Sequence, residues 1–543
     1  MEQQTKAKIL NNRYYLYLTE FFSGMSVMAV ELGASRLLAP YFSSSQIVWT
    51  IIIGTIMIAM ALGNYFGGKW ADKDPDPDKL YKRIIISALW TAAIPFFGKI
   101  VILGVTALLV ISINTNFLIW AAFISCMAVF VFPLFLLGTV TPSLVKYTTD
   151  SLDDNGRIVG TLGAFNTIGS IIGTFAPTFI TIPAVGTAVT FLIFSGILLV
   201  IGLVYFISAG RKKPLVAISS VLFIVMCVVS TRLSFAFWQK GVAYEGESIY
   251  NYLQVKEDDQ RKILSTNVLF GIQSVYMKQP GLTGLYYDTA MAAPLMAQSG
   301  EKSDILVLGM GTGTFAKQCS VYYPDSHIEG VEIDQAIADL AYSEFELDKS
   351  VSITTYDGRA YLNSLKAMQG RDTDLTTKYD VIMVDAYQDI TIPFQMSSVE
   401  FFTLVRDCLK PGGVMVVNMN MHSDKKGSIN HCLSDTISEV FKNVYSVPVT
   451  GSTNRELFAS DDDDMLKRFY QNTQTLSDEP LKEHMQSVQQ DLERYESGGN
   501  ILTDDKAPVE LLGMQVIDDL ISEQLEHYKK VFEEEGLDGL LNE

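Results

Sequence analysis

The sequence predicts two fold classes joined end to end: a multi-pass α-helical membrane domain of about seven spans, then a doubly wound α/β domain preceded by a small β region. Three observations predict this. Long apolar runs with few charges recur from Tyr14 to Phe237. From Asp304 onward, short strand-like runs alternate with helical patterns, and the first of them closes on a glycine loop. The charge divides at the same boundary: residues 1–240 hold 17 Lys+Arg against 10 Asp+Glu, and residues 241–543 hold 24 against 50. A chain of 543 residues exceeds one ordinary domain. Its mean hydropathy of +0.22 comes from the first part.

The membrane reading rests on length. Apolar segments lie near 14–38, 46–68, 83–111, 116–140, 157–181, 187–208 and 214–236, each at or above the ~20 residues a spanning helix needs. The third is overlong and carries Pro95 and Lys99, so a shorter span plus an interfacial piece is expected there. No small-residue cleavage site follows the first segment, which argues against a removed signal peptide. Lys and Arg fall on alternate loops, from Lys6, Lys8 and Arg13 to Arg211–Lys213, which puts the N-terminus in the cytoplasm. Seven crossings would then place the acidic part outside, whereas six would keep it in the cytosol. The side is left open. Glu31 and Arg36 within the first segment are read either as part of a cation path or as an internal ion pair. Gly160, Gly163, Gly169 and Gly173 form a stripe suited to close helix packing.

The second part opens with alternating runs (SIYNYLQVKED, RKILSTN, IQSVYM) that read as the small β region. Strands are expected at 304–309, 327–332, 351–355, 380–385 and 413–419 with helices between them, a Rossmann-like sheet. Ligands of such sheets bind at the carboxyl ends of the strands. Those ends carry Gly309, Gly311 and Gly313, then Glu332, the pair Asp357–Gly358, and Asp385. Glycines let backbone pass close under a nucleoside, and an acid on the next strand can accept ribose hydroxyls. That much fits dinucleotide dehydrogenases and S-adenosylmethionine enzymes alike. The further acids suit transfer from a sulfonium: Glu332 on the ribose, Asp357 and Gly358 at the adenine edge, and Asp385 facing the reacting carbon. A carboxylate there can bind a protonated amine and take its proton. The plain alternative for Asp385 is a helix N-cap. The acidic field disfavours nucleic acid and suits small cations. Five cysteines without CxxC spacing suggest neither a disulfide framework nor a metal site.

Several motifs carry a resemblance: ESIYN, NVLFGIQS, LTGLYYDTAM, VLGMGTG…VEID, YDGRAY, YDVIMVDAY and LKPGGVMVVNM, with LTDDKAPVE near the end. Together they resemble the spermidine synthase (polyamine aminopropyltransferase) family, in its membrane-fused branch. The resemblance implies a methyltransferase-type fold and decarboxylated S-adenosylmethionine as co-substrate, with no permanently bound cofactor. The reaction would move an aminopropyl group to putrescine or a related amine and release methylthioadenosine. It further implies Asp385 as proton acceptor, Glu332 on the donor's ribose, Asp357 with Gly358 on its adenine, and Asn251 on the thioadenosine moiety. Tyr287 and Asp288 would lie on the amine side.

Two positions depart from the family. Thr312 stands where soluble members carry an acid in the glycine loop, and Gln388 stands where they carry a second acid after the catalytic one, with Asp389 one step beyond. Losing a carboxylate from a buried cation site costs about 2–5 kcal/mol. Compensation is expected from Asp288, Asp389, Asp504 or Asp505, or from a different acceptor. A methyltransferase and a non-catalytic polyamine transporter or sensor are the alternatives. The absence of Lys and Arg from Gly309–Phe315 leans towards a donor without a carboxylate. Domains are expected at 1–240, 241–460 and 461–543, the last an acidic helical extension. Its helices are expected at 463–475, 480–496 and about 508–535, the last packing on the sheet or on a second protomer of a homodimer.

Overall fold

The structure is a computed structural model that describes residues 8–42, 45–112, 117–148, 155–268, 271–369, 378–386, 392–419 and 427–513. It divides into two units: one comprises Met1–Gln239 with Gly246–Tyr252, the other Lys240–Glu245 with Leu253–Glu543.

The first unit is helical. Its elements are α1 (Arg13–Phe42), α2 (Gln46–Lys73), α3 (Pro77–Ser112), α4 (Phe117–Gly138), α5 (Val140–Thr148), α6 (Asn155–Ala176), α7 (Ile182–Ser208) and α8 (Lys213–Ser230). Among the described residues, six stretches are long and apolar enough to cross a membrane. The fifth, Asn155–Ser208, runs to 54 residues, about 80 Å if it were straight. It is not straight. Gly186 leaves the helical region at φ 77°, and the chain doubles back there. Gly173 lies against the Met25 carbonyl, whereas further on Phe191 meets Gly33 and the Tyr15 hydroxyl donates to the Ile201 carbonyl. α6 therefore runs parallel to α1 and α7 antiparallel to it.

The third apolar segment differs from expectation. Pro95 does not interrupt α3, and Lys99 is accommodated by donating to the Leu233 carbonyl at 2.7 Å and lying over the Phe235 ring. The glycine stripe is half used. A Cβ on Gly169 or Gly173 would collide with the backbone of α1 at Phe21 or Met25, while Gly160 and Gly163 face open space. Arg36 donates to the carbonyl of Ile249.

The second unit begins with a four-stranded sheet, β1 (Val242–Glu247), β2 (Tyr252–Glu257), β3 (Arg261–Ser265) and β4 (Ser274–Met277) in that order. Two short helices follow, α9 (Tyr286–Ala290) and α10 (Ala292–Met296). The main sheet then alternates with helices: β5 (Asp304–Leu308), α11 (Thr314–Tyr322), β6 (His327–Glu332), α12 (Gln335–Ser343), β7 (Ser352–Thr355), α13 (Gly358–Gln369), β8 (Tyr379–Val384), α14 (Val399–Asp407), β9 (Leu409–Met419) and α15 (Ile429–Val440). It finishes with β10 (Asn443–Pro448), β11 (Arg455–Ser460), α16 (Met465–Thr475), α17 (Glu479–Asp491) and β12 (Glu493–Arg494). The strand order is β12-β10-β11-β9-β8-β5-β6-β7. β7 through β9 are parallel; β11, β10 and β12 are antiparallel additions.

The expected strands are all present, within a residue except for β9, which starts four residues early at Leu409 and runs through Pro411–Gly413. Val307, Val381 and Val416 line one face of the sheet with Phe315, Phe458 and Phe469, each fully buried side chain contributing about 1.5–3 kcal/mol. β5 sits between β6 and β8. The chain therefore leaves β5 in one direction for β6 and returns on the other side for β8, which opens a crevice at their carboxyl ends.

Candidate active site

Gly309, after β5, and Asp385, after β8, meet in that crevice. Asp385 N–H donates to the Leu308 carbonyl at 2.9 Å. A Cβ on Gly309 would lie 2.5 Å from the Asp385 carbonyl oxygen, and the residue takes φ 82°. Only glycine permits both. Gly311 (φ 55°) and Gly313 (φ 84°) continue the loop into α11. The Gly311 N–H donates to Glu332 Oε2 at 2.8 Å, and the Asp334 N–H to Glu332 Oε1 at 3.0 Å. Glu332 thus clasps the glycine loop from the tip of β6. Burial pushes its carboxyl above the usual carboxylate range, and the two backbone donors partly offset this. Each oxygen keeps a lone pair for a ribose hydroxyl.

Asp357 precedes α13, where its Oδ1 accepts from Ala360 N at 2.7 Å. Gly358 opens that helix beside Met396 and Leu308. Asp334 similarly caps α12 through Ala336 N.

Asp385 caps no helix among the described residues; Ser398 caps α14. Its Oδ2 accepts from the Tyr286 hydroxyl at 2.7 Å and its Oδ1 from Asn418 Nδ2 at 2.9 Å. The residue keeps some exposed surface at the strand end. Burial still pushes its carboxyl up to about 7; the bonds from Tyr286 and Asn418 pull the other way and the charge of Glu332 adds to the rise. A carboxylate poised near neutral pH is what proton transfer from an amine requires.

The residues expected on the amine side, Tyr287 and Asp288, are both engaged within the protein. Tyr286 hydrogen-bonds Asp385; the Tyr287 ring lies 4.0 Å from the Tyr286 ring at a 33° tilt, and its hydroxyl donates to the Gln273 carbonyl. Asp288 is spent: its oxygens accept from Thr283 N, Thr283 Oγ1, Gln318 Nε2 and Gly284 N. Asp504 is likewise engaged, in a bidentate pair with Arg359 at 2.6 and 2.7 Å. Asp389 and Gln388 lie outside the described residues, as does the greater part of the last expected helix, beyond Gly513. Asn251 belongs to the first unit, where its backbone pairs with Ser248. Thr312 is buried, and its Oγ1 has no hydrogen-bond partner among the described residues.

The family model described as Spermine/spermidine synthase domain matches residues 285–454. A probable polyamine aminopropyl transferase of Bifidobacterium longum is 51% identical over 356 residues, covering 62% of this chain and 77% of that protein. This chain belongs to the polyamine aminopropyltransferase family. A polyamine aminopropyltransferase of Vibrio vulnificus is 27% identical over 204 residues, 36% of this chain and 64% of its own. Among solved structures, a probable spermidine synthase from Corynebacterium glutamicum matches 46% of this chain and 95% of its own, at 22% identity and a TM-score of 0.36.

Sequence reasoning passed over Tyr286 and Asn418. Adjacent tyrosines at a helix start point about 100° apart, so the motif LYYD did not reveal which of them faces the acid. Asn418 ends an apolar strand, and its placement could have flagged it.

Proposed function

We propose that this chain is a membrane-anchored aminopropyltransferase that moves an aminopropyl group from decarboxylated S-adenosylmethionine to putrescine or a related amine. The observation that carries the chemistry is Asp385, held by Tyr286 and Asn418 beside the glycine loop. The acceptor nitrogen attacks the aminopropyl carbon bonded to sulfur, the C–S bond breaks, and its electron pair leaves on the neutral thioether methylthioadenosine. The proton shed by the nitrogen passes to Asp385. Displacement from a sulfonium needs orientation more than a strong base, so one carboxylate near neutral suffices. Glu332 takes the ribose diol, and Asp357 with Gly358 takes the adenine edge. Thr312 Oγ1 offers a neutral acceptor where the family's loop acid would face a cation.

Anchoring rests on the six apolar stretches of the first unit. Among the described residues, the fifth folds at Gly186 into two arms, α6 running parallel to α1 and α7 antiparallel to it. Lys79, Arg83, Lys146 and Lys212 gather at one end, where Lys212 pairs with Asp78 and Lys146 with Asp72. That end is cytoplasmic by the positive-inside rule.

Two experiments test the reading. The detergent-solubilised protein, supplied with decarboxylated S-adenosylmethionine and a panel of amines, should release methylthioadenosine detectable by mass spectrometry. Methylated amine formed from ordinary S-adenosylmethionine, without thioadenosine release, would replace it with a methyltransferase. Release of the protein from membranes by carbonate washing would sink the anchoring.

A further inference from the structure

Glu456 on β11 is fully buried at 0% exposure, and neither carboxyl oxygen has a hydrogen-bond partner among the described residues. Either protonation state leaves polar atoms bare. An ionised carboxylate lacks donors, and a neutral one lacks an acceptor for its proton. Buried polar groups are almost always paired, so this one asks for a partner.

Its position says what kind. Glu456 stands opposite Asn418 in the β9–β11 register, so the two side chains share a face of the sheet. Asn418 is the residue that donates to Asp385. Asn454, two residues before Glu456, donates to Asn418 Oδ1 at 2.8 Å, and Ser452 donates to Asn454. The polar neighbours on this face are therefore committed to one another, and Glu456 is passed over. Asp385 and Glu456 lie two strands apart across β9. That spacing is about 10 Å, which an extended four-carbon diamine spans with a hydrogen bond at each end. Burial and the charge of Asp385 both hold the Glu456 carboxyl well above the usual range. An arriving cation relieves both. Thr312 removes a negative charge from the loop, and Asp288 and Asp504 are engaged elsewhere, so Glu456 is the buried acid beside Asp385 whose oxygens have no hydrogen-bond partner among the described residues.

We propose that Glu456 binds the distal ammonium of a diamine or polyamine acceptor while Asp385 faces the attacking nitrogen, so that the site selects acceptors carrying a second positive charge. This rests on the aminopropyltransferase reading. Residue 456 also lies just beyond the span that matches the family model, 285–454.

The test uses the full-length protein in detergent with saturating decarboxylated S-adenosylmethionine, and compares 1,4-diaminobutane with 1-aminobutane by thioadenosine release. The native protein should show a KM for the diamine at least tenfold below that for the monoamine. Glu456→Gln should raise the diamine KM at least tenfold, change kcat less than threefold, and leave the monoamine and donor KM values unmoved. A diamine KM unchanged in Glu456→Gln overturns the inference and leaves the transferase reading intact. So does a native protein that treats both amines alike, a result needing no variant. If Glu456→Gln does not fold, Glu456→Asp should keep a reduced preference for the diamine, and full native preference in that shortened variant counts against the role. A native protein that releases thioadenosine with neither amine removes the transferase reading, and this inference with it.

Discussion

The proposed donor half and the proposed acceptor half of the sheet hold their acids in different ways. On the donor side, Glu332 and Asp357 are fixed by backbone N–H groups of Gly311, Asp334 and Ala360. On the acceptor side, Asp385 is fixed by two side chains, Tyr286 and Asn418, from segments 99 and 33 residues away. Glu456 and the Thr312 hydroxyl have no hydrogen-bond partner among the described residues. Backbone donors come with the loop and survive most side-chain substitutions. Side-chain donors can be exchanged one at a time, so the environment of Asp385 can be altered by single substitutions.

The sharpest way to break this contrast is Asp385→Asn. It should lower kcat for thioadenosine release by about 10²–10⁴-fold, the usual worth of a positioned proton acceptor, while leaving donor binding by calorimetry within a few-fold. Loss of donor binding instead would mean the two halves are not separable.

Next in size is a pH effect on stability. The carboxyl of Asp385 sits at about 7 against an ordinary 3.8, so between those values the folded protein binds a proton that the unfolded chain does not. The resulting stability is fully present below about pH 4 and is lost as pH rises through about 7, with an upper limit of about 4 kcal/mol. Melting of the unliganded protein should therefore occur several degrees higher at pH 5.5 than at pH 8. Asp385→Asn should flatten much of that slope, and an equal slope in the variant would assign it to other acids such as Glu332.

Glu332→Gln should act on the other half. Its amide places N–H groups against the Gly311 or Asp334 N–H, at a cost of about 1–3 kcal/mol. The donor KM should rise and the amine KM stay put. A change confined to the amine would contradict the division. Asn418→Ala should have the smallest effect, a several-fold loss in kcat. Removing that donor lets the Asp385 carboxyl rise further, so the acid limb of the kcat/KM profile should move upward from about 7. A profile that stays in place would reduce Asn418 to packing.

The same contrast explains what was legible in the sequence. Gly309 to Gly313, Glu332, Asp357 and Asp385 stand at strand ends, and strand ends follow from local apolar runs and glycine spacing. The five parallel strands were visible for that reason. β9 began earlier than expected because Pro411–Gly413 read as a turn, yet here the pairing with β8 shifts register between Tyr379 and Val381 and carries the strand through. The antiparallel strands β10 and β11 went unseen, and Glu456 with them, because their significance lies in pairing with β9. Tyr286 was displaced by its neighbour for want of a rotational cue. In the helical unit the hairpin at Gly186 depends on a single backbone angle. Its two arms were nonetheless visible as separate apolar segments.

The path of the chain between the units has a practical consequence for anyone wanting the catalytic part by itself. Lys240–Glu245 belongs to the second unit, Gly246–Tyr252 to the first, and the chain returns for good at Leu253. No single cleavage point frees one unit whole. A fragment beginning at Lys240 would carry Ile249 and Tyr250 in a segment torn from its helical neighbours, along with the main-chain carbonyl that Arg36 engages. A fragment beginning at Leu253 would discard β1, the first strand of the small sheet. Expression trials should therefore pair the later start with a replacement for that strand, or keep the earlier start and make the Gly246–Tyr252 stretch polar.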